Sequence, residues 1–155
     1  MEQIKEKALI NTYGSDSLDA LIERLQSTAD PKRRYEYVLW LAKKLPTLTK
    51  DMQLETTKVK GCISEVHVHG NLVNGRIKWK GYSDALITKG LLAFLIKGLN
   101  DLTPIEVLSI NEKFIEMTGL SKSLTPSRAN GFLNIFLKMK SQAKTLLITS
   151  STTEQ

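Results

Sequence analysis

The apolar positions of the first third of the chain recur with helical spacing. Leu18, Leu21, Ile22 and Leu25 follow the i, i+3, i+4, i+7 pattern that lays one stripe along one helix face, and Ser15 or Asp16 stands ahead to accept from the free first-turn amides. Asp30-Pro31 then offers a cap and a first-turn proline. Tyr35, Val38, Leu39 and Ala42 repeat the stripe until Leu45-Pro46 ends it, so two amphipathic helices are expected to pack on each other.

From Lys58 the period changes from helical to alternating. Glu65-Val66-His67-Val68-His69 and Arg76-Ile77-Lys78-Trp79-Lys80 alternate strictly on either side of Gly70 to Gly75, which predicts a hairpin with a short Gly/Asn loop. Val66, Val68, Ile77 and Trp79 fall on one face. Glu65, His67, His69, Arg76, Lys78 and Lys80 fall on the other, which the alternation assigns to solvent. Thr57 to Lys60 is a candidate third, edge strand.

Helical signals return after the hairpin. Ser83 is expected to cap a segment, Asp84 to Leu99, whose apolar residues surround it almost completely, as in a central buried helix. Thr103-Pro104-Ile105-Glu106 reads as a capping box with proline in the first turn, and Asn111 is expected to cap another short helix that Gly119 ends. Thr125-Pro126 opens a long helix with the stripe Phe132, Ile135, Phe136, Met139, Ala143 and Leu146. The order predicts an α+β fold: a small antiparallel β-sheet, hairpin plus edge strand, packed against several helices. One domain is expected over 1–148, with the Ser/Thr-rich end, 149–155, read as a disordered tail.

Composition narrows what such a domain can do. A chain of 155 residues suits one sizeable core. Its single cysteine excludes internal disulfides and any all-cysteine metal site built from this chain alone. The longest apolar stretch, Gly90 to Ile96, is far short of the roughly 20 residues of a membrane-spanning helix, and the N-terminus lacks the apolar region of a targeting segment. The expectation is no membrane association and a cytoplasmic location, where the thiol stays reduced. Twenty-two Lys and Arg against 16 Asp and Glu leave a formal charge of +6, but the cations come in short clusters with acids between most of them. That dispersal favours an acidic protein partner over nucleic acid.

Neither a Gly-rich phosphate loop nor paired carboxylates in a hydrolytic setting can be found. The chemistry-bearing candidate is Cys62, in Val59-Lys60-Gly61-Cys62-Ile63-Ser64. A free cysteine can be a small buried hydrophobe. Against that, Gly61 permits a sharp turn, Lys58 and Lys60 would favour the thiolate, and a loop leading into a strand is a common place to present a reactive group. Were the strand unbroken back to Cys62, its parity would turn the sulfur inward, where burial raises its pKa. His67 and His69 alternate onto the far face, which suits neither a metal site with Cys62 nor a Cys–His dyad. Arg128 is anomalous, a cation in a first helical turn where the macrodipole disfavours it, and would be explained by contact with Cys62 or an acid.

Four segments, in order, resemble the SufE family of sulfur acceptors: Lys32 to Leu41 with Leu45-Pro46, Lys58 to Val66, Ser83 to Leu91, and Leu124-Thr125-Pro126-Ser127-Arg128-Ala129-Asn130-Gly131. The resemblance covers roughly Leu18 to Leu146 and implies a SufE/IscU-like fold. It implies that Cys62 accepts persulfide sulfur from a SufS-like cysteine desulfurase, stimulates that enzyme, and passes the sulfur to a SufBCD-like scaffold for iron–sulfur cluster assembly. The chain would then be an accessory carrier and not an enzyme, with no metal and no cofactor of its own, since the pyridoxal phosphate belongs to the desulfurase. Lys58, Lys60, Gly61, Asp84 and Arg128 become candidate positioning or docking residues, in a monomer or homodimer. Three-cysteine cluster ligation of the IscU type does not carry over to a chain with one cysteine. Ile63 departs from a frequent Gln, and His67 from a frequent Trp. The rival reading is a basic nucleic-acid-binding module with an inert cysteine, contacting its ligand through the outer hairpin face and Arg33-Arg34.

Overall fold

The computed structural model describes residues 12–153. Helix α1, Asp16–Gln26, starts at Ser15, whose hydroxyl accepts from the Leu18 amide at 3.2 Å, and buries the expected stripe Leu18, Leu21, Ile22 and Leu25. Helix α2, Pro31–Leu41, starts at Asp30, whose carboxylate accepts from the Lys32 amide at 2.9 Å, and tightens into a 3-10 turn over Ala42–Lys44 before Leu45-Pro46.

Strands β1, Val66–Val73, and β2, Arg76–Ser83, form a two-stranded antiparallel sheet. The loop expected over 70–75 shrinks to Asn74-Gly75. Both residues have positive φ, 55° and 78°, the left-handed conformation a two-residue hairpin turn requires. Gly70 pairs with Trp79 inside the ladder. Val66, Val68, Ile77 and Trp79 are buried on the inner face as the alternation predicted.

The expected third strand is a single bridge. The Val59 amide donates to Val66 O at 2.8 Å and the Val68 amide to Thr57 O at 2.9 Å, after which the chain departs. Gln142 takes over the same edge of β1, accepting from the Gly70 amide at 2.9 Å and donating to Val68 O at 2.7 Å. Because Thr57 closes over the outer face here, His67 is buried, at 2% exposure, not solvated as its parity suggested. Its Nδ1 is hydrogen-bonded to Thr57 Oγ1 at 2.9 Å and its Nε2 faces Glu65 Oε1 at 3.2 Å.

The apolar-all-round segment becomes α3, Leu86–Gly98, in contact with α1, α2, β2 and the last helix. It begins later than Ser83 and Asp84 suggested, because both are otherwise engaged. Ser83 ends β2 and its hydroxyl accepts from the Ala85 amide, while Asp84 turns back toward Glu65. Helix α4, Pro104–Ser109, carries the full capping box, and α5, Phe114–Met117, is followed by Gly119 at φ 69°.

Helix α6, Pro126–Thr153, is about 42 Å long at 1.5 Å per residue. Phe132 and Phe136 pack edge-on against Phe94 and Phe114, with ring centroids 5.7 and 5.0 Å apart. Such pairs contribute about 1 kcal/mol each beyond the area they bury. The helix continues past 149, where a disordered tail was expected, since each residue added to an existing helix gains a bond without a new nucleus.

Candidate functional site

Cys62 lies in the loop between the Thr57–Val59 bridge and β1. The strand begins only at Val66, so parity does not set the direction of the thiol. Helix α6 does. Arg128, Gly131 and Asn134 are three residues apart and share one face of its first turns. Each meets a different point of the loop. Asn134 Nδ2 donates to Gly61 O at 3.0 Å, Cys62 Sγ lies 3.8 Å from Gly131 O, and Arg128 Nη1 donates to the Ser64 hydroxyl. Loop and helix thus run past each other in opposite directions, with the cysteine over the middle contact.

The far end of the loop is pinned twice more. Asp84 Oδ1 accepts from the Glu65 amide at 3.0 Å, and the Asp84 amide donates to Glu65 O at 3.3 Å. Arg128 also donates to Thr88 Oγ1 at 2.6 Å, a hydroxyl buried at 3% exposure on α3. Of the sequence candidates, the fold therefore gathers Gly61, Cys62, Asp84 and Arg128. Lys58 and Lys60 are exposed.

The near end turns at Gly61, where φ is +79°. That backbone conformation favours glycine, and a Cβ there would stand 2.7 Å from Asn134 Nδ2 and make that side-chain amide shift. Cys62 is half-buried and packs against the edge of the core, whereas Ile63 next to it is 70% exposed. Burial pushes the Cys62 thiol above its ordinary pKa, and the Arg128 guanidinium partly offsets that. The cation acting on the sulfur is thus Arg128, in place of the Lys58 and Lys60 expected from sequence proximity. The His67 ring is occupied by Thr57 and Glu65 and forms no dyad with the thiol.

Chemically this is a thiol whose neutral form is favoured by burial, shielded on one side by α6. The sequence had left Asn134, Ser64 and Thr88 unassigned. Of the cations in the rival reading, three are engaged within the fold: Arg34 Nε donates to Thr28 O at 2.6 Å and Leu25 O at 3.1 Å, Arg76 Nη1 to Asp101 O at 2.7 Å, and Lys78 pairs with Asp101, while Arg33 and Lys80 are exposed. Among the described residues no helix is long and apolar enough to cross a membrane.

A family model described as "SufE: Fe-S metabolism associated domain" matches residues 19–143. An uncharacterized SufE-like protein of Synechocystis is 48% identical over 127 residues, 82% of this chain and 80% of that one. The cysteine desulfuration protein SufE of Plasmodium vivax is 38% identical over 122 residues, covering 76% of this chain but only 48% of its own length. The solution structure of a hypothetical protein from Thermus thermophilus superposes with a TM-score of 0.75 over 86% of this chain and 98% of that one, at 24% identity, a likeness of fold.

Proposed function

The chain belongs to the SufE family, and from that premise we propose that Cys62 is a sulfur acceptor for a SufS-like cysteine desulfurase. One observation carries the reading: the only thiol of the chain sits in a loop that α6 cradles through three contacts, with a single guanidinium aimed at its neighbourhood. A merely structural cysteine has no need of such a cradle.

In this reading the Cys62 thiolate attacks the terminal sulfur of a persulfide on the desulfurase cysteine. The sulfur–sulfur bond of the donor breaks, the donor cysteine leaves as a thiolate, and the terminal sulfur keeps its proton on Cys62. No net oxidation occurs, so no electron acceptor is needed, and the exchange obeys the ordinary rules of thiolate fraction, nucleophilicity and access. The protein is a carrier and activator with no cofactor of its own. The sulfur leaves by the same type of exchange toward a SufBCD-like scaffold that builds iron–sulfur clusters in the cytoplasm. Arg128 and Asp84 position the loop, and the exposed Lys58 and Lys60 face an acidic partner surface. The protein acts as a monomer or homodimer.

The test is intact mass after incubation with a cysteine desulfurase and free cysteine. The wild type should gain one sulfur atom that a reductant removes. Cys62→Ser should gain none and should fail to stimulate the desulfurase while keeping its melting temperature; stimulation equal to wild type would sink the reading.

A further inference from the structure

The loop around Cys62 is held unequally at its two ends. Past the cysteine, Ser64 is gripped by Arg128, itself anchored on Thr88, and Glu65 is gripped by Asp84 through both its amide and its carbonyl. Ahead of the cysteine the described side-chain contact is one neutral bond, from the Asn134 amide to Gly61 O. Charge-assisted hydrogen bonds are roughly twice as strong as neutral ones. The loop therefore opens at its Gly61 end, and Gly61, at φ +79° and free of a Cβ, is the residue best able to absorb the change of direction.

We propose that Asn134 is a positioning residue for Cys62, a latch whose side-chain amide holds the Gly61 carbonyl and keeps the thiol packed on Gly131. Two features fit the two partners to each other. The amide sits so close over Gly61 that any side chain there would collide with it, at 2.7 Å for a Cβ. Asn134 also stands one helical turn beyond Gly131, so the bond to Gly61 and the sulfur contact with Gly131 form and break as neighbours on one helix face. Ile63, 70% exposed in the latched state, gains burial when a partner covers the loop, which offsets the lost bond. The biological sense of the latch rests on the sulfur-acceptor reading, but its existence does not.

The latch is tested on the whole chain by the rate of Cys62 alkylation with iodoacetamide in wild type, Asn134→Ala and Asn134→Asp, with thermal melting measured alongside. Aspartate keeps the shape of asparagine and removes the donor. Both variants should react roughly fivefold faster, the factor that one net hydrogen bond represents, with the melting temperature lowered by no more than the roughly 2–4 °C that the same bond represents in a domain of this size. The pH profile of Asn134→Ala should also move down toward that of an unburied thiol, because the sulfur spends more time out of the fold, whereas in Asn134→Asp the added carboxylate works against that shift. Wild-type rates and profiles in both variants would overturn the latch, as would acceleration that comes only with a much larger loss of melting temperature, the mark of global unfolding. Desulfurase stimulation is read separately. A faster-reacting Cys62 in a protein that never stimulates a desulfurase keeps the latch and removes the acceptor function; normal stimulation with wild-type alkylation in both variants does the reverse.

Discussion

Arg128 and Thr88 meet between α6 and α3, where one guanidinium nitrogen donates to the buried Thr88 hydroxyl at 2.6 Å and also to Ser64 in the cysteine loop. The arrangement resolves an electrostatic oddity. A cation in the first turn of a helix is opposed by the macrodipole by roughly 0.3–1 kcal/mol. Two hydrogen bonds from a charged donor, each contributing about 1.5–3 kcal/mol, outweigh that cost. Arg128 thus joins the core helix α3 to the loop that carries the thiol, and its charge is the one that lowers the thiol pKa against the effect of burial.

The pH dependence of Cys62 follows with its sign fixed. Burial dominates, so alkylation should rise with pH through a midpoint above the roughly 8.5 of a free thiol. Because the folded state favours the protonated form, the stability this group contributes is fully present below the unfolded thiol's pKa and is lost as pH rises through the folded one. Arg128→Gln removes the only described cause opposing burial and should move the alkylation midpoint further up. Arg128→Lys keeps the charge on a shorter side chain that lacks the Nη1 group serving both Ser64 and Thr88, and should leave the midpoint near that of wild type. Equal midpoints in all three proteins would show that the Arg128 charge does not reach the sulfur.

Acid should loosen the far side of the domain through Glu106. Its carboxylate accepts from the Thr103 amide at 2.9 Å, and this bond, helped by the Thr103 hydroxyl and the Arg76 charge, holds its pKa below the ordinary carboxylate value. The contribution is present above about pH 4.3, the ordinary pKa of Glu, and is lost as pH falls through the folded value. Thr103→Ala should cost about 1 kcal/mol at neutral pH while leaving the backbone amide in place, and Glu106→Gln, which removes the titrating group itself, should flatten the acid dependence of the urea midpoint between pH 5 and 3. An unchanged slope would place the acid sensitivity elsewhere.

The elements that sequence could read were those built from local signals. Caps at Ser15, Asp30 and Thr103, prolines in first turns, and strict alternation each act within a few residues, and the helices and hairpin appeared where these stood. What could not be read depends on contacts distant in sequence. Arg128 reaches Ser64 and Thr88 across 64 and 40 positions, and Asn134 reaches Gly61 across 73. Arg128 left a trace because its placement breaks a rule. Asn134, an ordinary polar residue in a helix, left none. His67 went wrong for a related reason: alternation tells which face a residue takes, not whether another segment, here Thr57, covers that face.

Gly90 couples the stability of the core to the geometry of the site. A Cβ at this position would stand 2.1 Å from the Val38 carbonyl oxygen, a backbone atom of α2 that no rotamer change can move aside. Helices α2 and α3 therefore touch backbone to backbone, and Gly90→Ala must push them apart. Overpacking of this kind costs typically 1–3 kcal/mol, and a rigid backbone obstacle puts this case at the upper end, about 3 kcal/mol. For a domain of this size that lowers the melting temperature by roughly 10 °C. Thr88 lies two residues earlier on the same helix and is the hydroxyl that anchors Arg128. Displacing α3 from α2 should therefore also disturb the grip on Ser64 and raise the alkylation rate of Cys62 at temperatures well below the melting transition. A Gly90→Ala protein that melts like wild type would show that α2 and α3 do not approach this closely. One that melts early but keeps a wild-type alkylation rate would show that Arg128 holds the loop without help from α3.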